Sequence, residues 1–126
     1  MTTNGKTRAV WFDVPCTDLD RAIRFYGAVL SCEVAREDFD GGAMGVLEHD
    51  SSGVGGCLVV TTDNTPSDKG ILLYLNCDGR LDDAIARATE HGGAVLTPKH
   101  QLGPHGFRAI LRDSEGNRVA LHSNTA

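Results

Sequence analysis

The sequence predicts an α+β fold built from two tandem βαβββ modules. Its second half repeats its first: Cys16 and Cys77 follow similar apolar runs and lie 61 residues apart (77 − 16 = 61). The same offset relates a later set of positions: Gly55, Leu58 and Val60 correspond to Gly116, Val119 and Leu121. Each half combines one amphipathic helical stripe with several short strand-like runs. Two such modules usually share one core, and a pocket can form between them.

Module one is predicted to span about residues 8–63. Residues 8–16 form a short apolar run rich in aromatic and β-branched side chains, typical of a strand. Thr17 is predicted to cap the next helix, whose apolar face is formed by Leu19, Ala22, Ile23, Tyr26, Val29 and Leu30. Three strands are expected at about 32–38, 43–49 and 56–62, separated by turn signals at 41–42 and 51–53.

Module two is predicted to span about residues 69–123, after a polar linker at 64–68. A strand at 70–77 leads to a helix with Leu81, Ala84, Ile85 and Ala88 on its apolar face, ended by Gly92 and Gly93. Strands are expected at about 94–99, 106–112 and 117–122, with a tight turn at 113–117. We therefore expect residues 1–126 to form a single domain.

Composition narrows the classes of function. The chain has 126 residues, 40% of them hydrophobic, and a net charge of −5. This balance argues against a nucleic-acid partner, is compatible with a cationic ligand, and equally suits simple solubility. No apolar run is long enough to span a bilayer, and residues 1–7 lack the apolar region of a signal peptide. We expect a cytoplasmic protein with no membrane partner.

The cysteines and the catalytic motifs give no sign of a reactive nucleophile. Cys16, Cys32, Cys57 and Cys77 form no C-x-x-C pair and lie in apolar runs, which favours buried reduced thiols over disulfides or metal ligands. There is no G-x-S-x-G motif and no phosphate-binding glycine loop. The sequence therefore identifies no particular catalytic residue, and whether the chain is an enzyme stays open.

Two motifs carry a resemblance to a known family. VPCTDLDRAIRFY at 14–26 is similar to the V-x-D-L-x-R-A-x-x-F-Y opening of the vicinal oxygen chelate superfamily, which includes glyoxalases, bleomycin resistance proteins and extradiol dioxygenases. FRAILRDSEGNRVALH at 107–122 resembles its D-P-x-G-N-x-x-x-L ending. The resemblance implies a curled, cup-shaped mixed sheet with the helices outside, and usually a homodimer. It does not by itself imply an activity.

In metal-dependent members, four inward side chains hold one divalent ion. Counting from the matched motifs, the corresponding positions here are Trp11, Val59, Leu72 and Ala120. None of these side chains has a lone pair available for a metal. A different set drawn from Asp13, Glu48, His49 and His122 is conceivable, although no spacing demands it. The resemblance thus predicts a member without the usual metal ligands, and no cofactor.

The predicted ligand-binding residues line the implied cup. They are Trp11, Asp13, Leu72, Tyr74, Ala120 and His122, with His105 contributing from the glycine- and proline-containing loop at 103–106.

Each of these residues also has a structural interpretation. Trp11 and Tyr74 are either stacking platforms or plugs that fill the cup. Asp13 is either a ligand anchor or general base, or the partner of Arg118 or His122. For His122 a solvent-exposed or hydrogen-bonded structural role is favoured over a ligand contact, and His100 is expected to be an exposed strand end.

The predicted function is a metal-free small-molecule-binding protein of the glyoxalase and bleomycin-resistance type. It would sequester an aromatic or cationic compound, and its partners would be that ligand and a second copy of itself. One alternative is a glyoxalase-like lyase, isomerase or oxygenase with non-standard metal ligation or no metal. Another is a domain retained for interaction or regulation, which a fully plugged cup would favour.

Overall fold

The chain folds as two βαβββ modules, as predicted. The structure, a computed structural model, describes residues 8–51 and 53–126. The polar stretch at 1–7 and Ser52 of the predicted turn at 51–53 lie outside the described residues. Module one contains the elements β1 (Trp11–Pro15), α1 (Leu19–Leu30), β2 (Val34–Phe39), β3 (Gly42–Leu47) and β4 (Gly55–Val59).

Module two repeats this order with one added turn. Its elements are β5 (Leu73–Asn76), α2 (Leu81–Glu90), β6 (Ala94–Gln101), β7 (Phe107–Arg112) and β8 (Arg118–Ser123), with a short 3₁₀ turn at Gly103–His105. The described strands form two four-stranded mixed sheets, in the orders β1-β4-β3-β2 and β5-β8-β7-β6. In each sheet the first strand runs parallel to the last strand of its own module, and the other pairs are antiparallel.

Helix α1 begins one residue later than the predicted cap implies. Asp18, rather than Thr17, is the N-cap, and its carboxylate accepts a hydrogen bond from the Arg21 N–H at 3.1 Å. Thr17 instead donates to Glu115 of the other module. The helix ends at Leu30, and the next residue, Ser31, is its C-cap with a left-handed φ of 51°. Thr17 and Asp18 are adjacent and both can cap a helix, so the local sequence did not distinguish them. Thr17 is instead bonded to the carboxylate of Glu115, which is far away in the sequence.

The core joins the two modules through their helices and one turn. Helix α1 packs on α2, and the buried side chains of α1 include Phe25 and Tyr26. The turn at 113–117 contacts both α1 and the strand before it. Tyr26 of α1 donates a hydrogen bond to Asp113 at 2.5 Å, and Asn117 donates to the carbonyl of Pro15 in β1 at 2.7 Å. Neither helix of the described chain is long and apolar enough to cross a membrane.

Candidate ligand site between the modules

A cavity of about 540 Å³ lies between the two modules. We call it the inter-module cavity. Its walls come from β1, the residues after β3, the start of β4, the end of α1 and β5. They include Trp11, Phe12, Leu30, His49, Gly55, Leu73 and Tyr74. Trp11 and Tyr74 therefore flank an open space and do not plug it, which removes the main reason to favour a purely interacting or regulatory domain.

Trp11 is held in place by three neighbours on module one. Its ring meets the His49 ring edge-to-face, with centroids 5.7 Å apart. Both rings lie over Gly55, where a Cβ atom would come within 2.7 Å of the indole and 2.8 Å of the imidazole. The indole N–H donates to the Asp13 carboxylate at 3.1 Å. With 36% of Trp11 exposed, the fixed indole is accessible from the cavity.

Asp13 has different partners from those the sequence suggested. Its carboxylate accepts hydrogen bonds from Trp11 and, at 3.3 Å, from the Cys57 thiol directly across the β1–β4 register. Arg118 donates to the Gly70 carbonyl and His122 contacts the His105 carbonyl, so neither predicted partner is engaged with Asp13 in the described contacts. Asp13 thus orients the indole, a positioning role that strand alternation alone did not reveal.

Tyr74 connects the inter-module cavity to a second pocket on module two. This pocket, of about 400 Å³, is lined by Tyr74, Leu102, His105 and His122, and we call it the Tyr74 pocket. The His122 Nε2 lies 2.6 Å from the His105 carbonyl oxygen, which anchors the 3₁₀ turn to β8. The structure therefore brings together three of the predicted ligand-binding residues here. His105 lines the pocket as an exposed turn residue.

Leu72 and Ala120 are less exposed to the pockets than the other predicted ligand-binding residues. Leu72 precedes β5 and is half-buried, while the next residue, Leu73, contributes to the cavity wall. Ala120 lies opposite Tyr74 in the β5–β8 register and is completely buried. Neither side chain forms part of a described pocket wall, so Ala120 supports the site from within the sheet.

The positions that bind metal in related folds do not suit a metal ion in this chain. Trp11, Val59, Leu72 and Ala120 supply only indole and hydrocarbon groups. Within residues 8–51 and 53–126, no group of three or more His, Cys, Asp or Glu side chains is placed to hold an ion. The alternative set of Asp13, Glu48, His49 and His122 is therefore not assembled.

The four cysteines are free thiols, and all have raised pKa values. Burial raises the pKa of Cys16 to about 12 and that of Cys77 to about 11. Burial, helped by the hydrogen bond and charge of Asp13, raises the pKa of Cys57 to about 11. Burial also raises the pKa of Cys32, which is half-buried. Protonated thiols are poor nucleophiles, so the Cys57–Asp13 pair is a structural contact.

Sequence reasoning missed Arg108, which lies beside the Tyr74 pocket. Its Nε donates to the His100 Nε2 at 3.0 Å, and its Nη1 donates to the Tyr74 hydroxyl. The guanidinium carbon lies 5.8 Å from the centre of the Tyr74 ring. His100 is accordingly half-buried and bonded, which corrects its prediction as an exposed strand end. Strand alternation could have placed Arg108 on the face of His122, its partner in the β7–β8 register.

Two βαβββ modules with a cavity between them define a glyoxalase-like fold. The sequence profile of the glyoxalase-like domain family matches residues 9–122. The chain therefore belongs to this family, within the vicinal oxygen chelate superfamily that the two motifs suggested. No curated protein matches the sequence.

Solved structures from bacteria share the fold over nearly the whole chain. TnmS3, an antibiotic binding protein from Streptomyces sp. CB03234, is 26% identical with a TM-score of 0.71, over 95% of this chain and 98% of that one. A glyoxalase/bleomycin resistance protein from the same organism is 26% identical with a TM-score of 0.69, over 91% and 99%. A glyoxalase-related enzyme from Fulvimarina pelagi, 16% identical with a TM-score of 0.71 over 93% and 88%, shows the fold alone.

Proposed function

We propose that the chain binds a small organic molecule with a planar aromatic part in the inter-module cavity, without a metal ion. One observation carries the proposal. Trp11 of module one and Tyr74 of module two flank the same cavity and are 36% and 44% exposed. A ligand that covers both rings removes their apolar surface from water, which favours binding.

The size and chemistry of the cavity suit such a ligand. Its volume of about 540 Å³ falls within the roughly 300–1,000 Å³ of typical small-molecule sites. Phe12, Leu30 and Leu73 add apolar wall, and Glu48 and Asn76 supply polar groups that can orient the bound molecule. Because Asp13 occupies the indole N–H, Trp11 offers its ring face for stacking.

The similar proteins support a protective role. TnmS3 is an antibiotic binding protein, and a second structure of equal identity is a glyoxalase/bleomycin resistance protein. We infer that this chain sequesters a toxic aromatic compound in the same general way. The indole and hydrocarbon side chains at the four metal positions support binding without chemistry at a metal. Restoring one ligand, as in Trp11→His, should not create a metal site while three positions remain inert.

The proposal is tested by finding a ligand and then truncating the two rings. A thermal-shift screen of aromatic and polycyclic compounds identifies the ligand, and calorimetry gives its affinity for Trp11→Ala, Tyr74→Ala and His105→Ala. Removing either ring should weaken binding about tenfold or more, since an aromatic contact contributes roughly 0.5–1.5 kcal/mol beyond the area that it buries. His105→Ala should cost less, because its side chain is exposed at the edge of the Tyr74 pocket.

Each variant must keep the thermal unfolding temperature of the parent protein, so that a loss of affinity is not a loss of folding. The three variants can then be compared directly with one another. If His105→Ala abolishes binding while both aromatic variants bind normally, the ligand does not occupy the inter-module cavity. The loop at 103–106 would then be the site.

A further inference from the structure

Arg108 is a half-buried cation whose described partners are neutral. It donates to the imidazole of His100 and to the hydroxyl of Tyr74. The ion pairs of the described chain involve other cations: Arg21, Arg36, Lys69, Arg80, Arg87 and Lys99. Half-buried arginine side chains can keep their charged group near water and available to a ligand. Among the ion pairs of the described residues, Arg108 has no carboxylate partner.

The two hydrogen bonds fix the guanidinium and leave donors to spare. The Nε2 of His100 accepts from Arg108, so its Nδ1 must carry the proton that reaches the Pro98 carbonyl at 2.9 Å. His100 is thus held as the neutral tautomer that best accepts from a cation. Arginine has five N–H donors, and two are used by these described contacts. The remaining donors include the Nη2 group, in the forked geometry that binds carboxylates bidentately.

The guanidinium lies at the border of the Tyr74 pocket. Arg108 faces His122 directly across the β7–β8 register, and both side chains project from the face of the sheet that carries Tyr74. Tyr74 accepts a hydrogen bond from Arg108, which leaves the phenolic proton free to be donated. The pocket of about 400 Å³ is lined by Tyr74, Leu102, His105 and His122, and Arg108 meets its wall through the Tyr74 hydroxyl.

We propose that Arg108 and Tyr74 bind the carboxylate of an aromatic acid, whose ring stacks beside Tyr74, the residue that lines both the Tyr74 pocket and the inter-module cavity. This inference rests on the proposed function and names the class of its ligand. It reverses the expectation drawn from the net charge of −5, since a global acidic balance suggested a cationic ligand. The charge nearest the site determines which ligand charge is preferred, because a charge within hydrogen-bond distance outweighs distant surface charges that salt screens.

The test uses a matched pair of probes, 2-naphthoate and 2-naphthamide, which share a ring and differ in charge. Isothermal titration calorimetry on the full chain should show the acid binding about tenfold or more tightly than the amide, the usual worth of a charge-assisted hydrogen bond. In Arg108→Gln this preference, taken as the ratio of the two affinities within the variant, should disappear. Arg108→Lys should recover it only in part, because a lysine cannot bind bidentately.

Arg112→Gln is the matched control. Arg112 lies on the same strand and face as Arg108, is exposed, and its loss changes the net charge equally. The control should keep the preference for the acid. Equal binding of both probes by the parent protein would overturn the carboxylate site and leave the aromatic site standing, as would an unchanged preference in Arg108→Gln. Failure of the acid to bind would also overturn the carboxylate site, whereas the proposed function is decided separately by the thermal-shift screen and the two aromatic variants.

Discussion

At the scale of single residues, Glu115 is the best-connected carboxylate of the described chain. Its side chain is completely buried, and it accepts from the N–H groups of Thr17 and Asp18, each at 2.9 Å. Arg21 pairs with it at 2.6 Å. Burial alone would raise its pKa, but the hydrogen bonds from Arg21, Asp18, Thr17 and Ser114 hold the pKa at about 2. Glu115 therefore joins module two to the start of α1 as a carboxylate.

The pH dependence of stability follows from this lowered pKa. The ordinary pKa of 4.5 falls to about 2 in the folded chain, so folding favours the charged form. The stabilisation is complete above pH 4.5, where the unfolded chain is also ionised, and is lost as the pH falls towards 2. Its size at neutral pH is on the order of 3 kcal/mol.

Glu115→Gln should lower the free energy of unfolding at pH 7 by about 2–4 kcal/mol, since it removes the charge and turns an amide towards backbone donors. Urea denaturation at pH 7 and between pH 4.5 and 2 measures this, and the variant should lose most of the acid dependence. Glu37→Gln, at an exposed position on β2, should stay within about 0.5 kcal/mol of the parent. If the free energy of unfolding falls equally with pH in the parent and in Glu115→Gln, Glu115 is not the source of the acid dependence.

At the scale of elements, the loop between β6 and β7 requires a glycine at its end. Gly106 has a φ of +88°, and a Cβ there would lie 2.5 Å from the Ser123 carbonyl oxygen of β8. Leu102 N–H also donates to the Gly106 carbonyl at 2.7 Å, which closes the loop around His105. A side chain at this position must therefore move backbone atoms.

Gly106→Ala should lower the free energy of unfolding by at least about 2 kcal/mol, because backbone strain and a backbone clash add. The control is Gly103→Ala in the same loop, where φ is +53° and a Cβ would meet nothing within 4 Å. That variant should lose only about 1 kcal/mol, the cost of left-handed backbone. Equal effects in urea denaturation would show that contact with β8 does not matter.

The elements themselves were largely predictable from sequence, whereas the contacts between residues far apart in the chain were not. The strand from Phe107 to Arg112 was expected at 106–112, because alternation and turn residues are local signals. Glu115 was interpreted only as part of a turn, and Arg108 was not singled out. Their decisive partners, Arg21 and Tyr74, are 94 and 34 residues away. Periodicity reveals which face a side chain occupies, but the folded chain decides which distant partners meet: Arg21 and Glu115 across the modules, and Arg108 and Tyr74 within module two.

The two motifs that carry the family resemblance are in contact in the folded chain. Arg21 and Thr17 belong to the opening motif, and Glu115 and Asn117 belong to the closing one. The Asn117 amide spans both, because it donates to Pro15 and to Asp113. These motifs therefore report how the modules are joined, which explains why they predicted the fold better than the ligand.

At the scale of the whole molecule, we predict a homodimer. The two sheets end in the strands β1, β2, β5 and β6, and exposed sheet edges are normally covered. Exposed apolar side chains include Phe39 on β2, Val95 and Leu96 on β6, and Ile71, which is 97% exposed. Twofold association is the commonest way to cover such surfaces. Light scattering should give about twice the chain mass of 13.4 kDa, and a monomer at micromolar concentration would contradict this expectation.

Trp11 provides the most direct test of binding between the modules without a metal. It is the single tryptophan of the chain, so its indole N–H gives one signal in a ¹H–¹⁵N spectrum. Titration of EDTA-treated protein with the aromatic ligand from the screen should shift this signal saturably, with the affinity that calorimetry gives for untreated protein. Binding that leaves the indole signal unmoved, or that is lost with EDTA and restored by about one divalent ion per chain, would contradict the account.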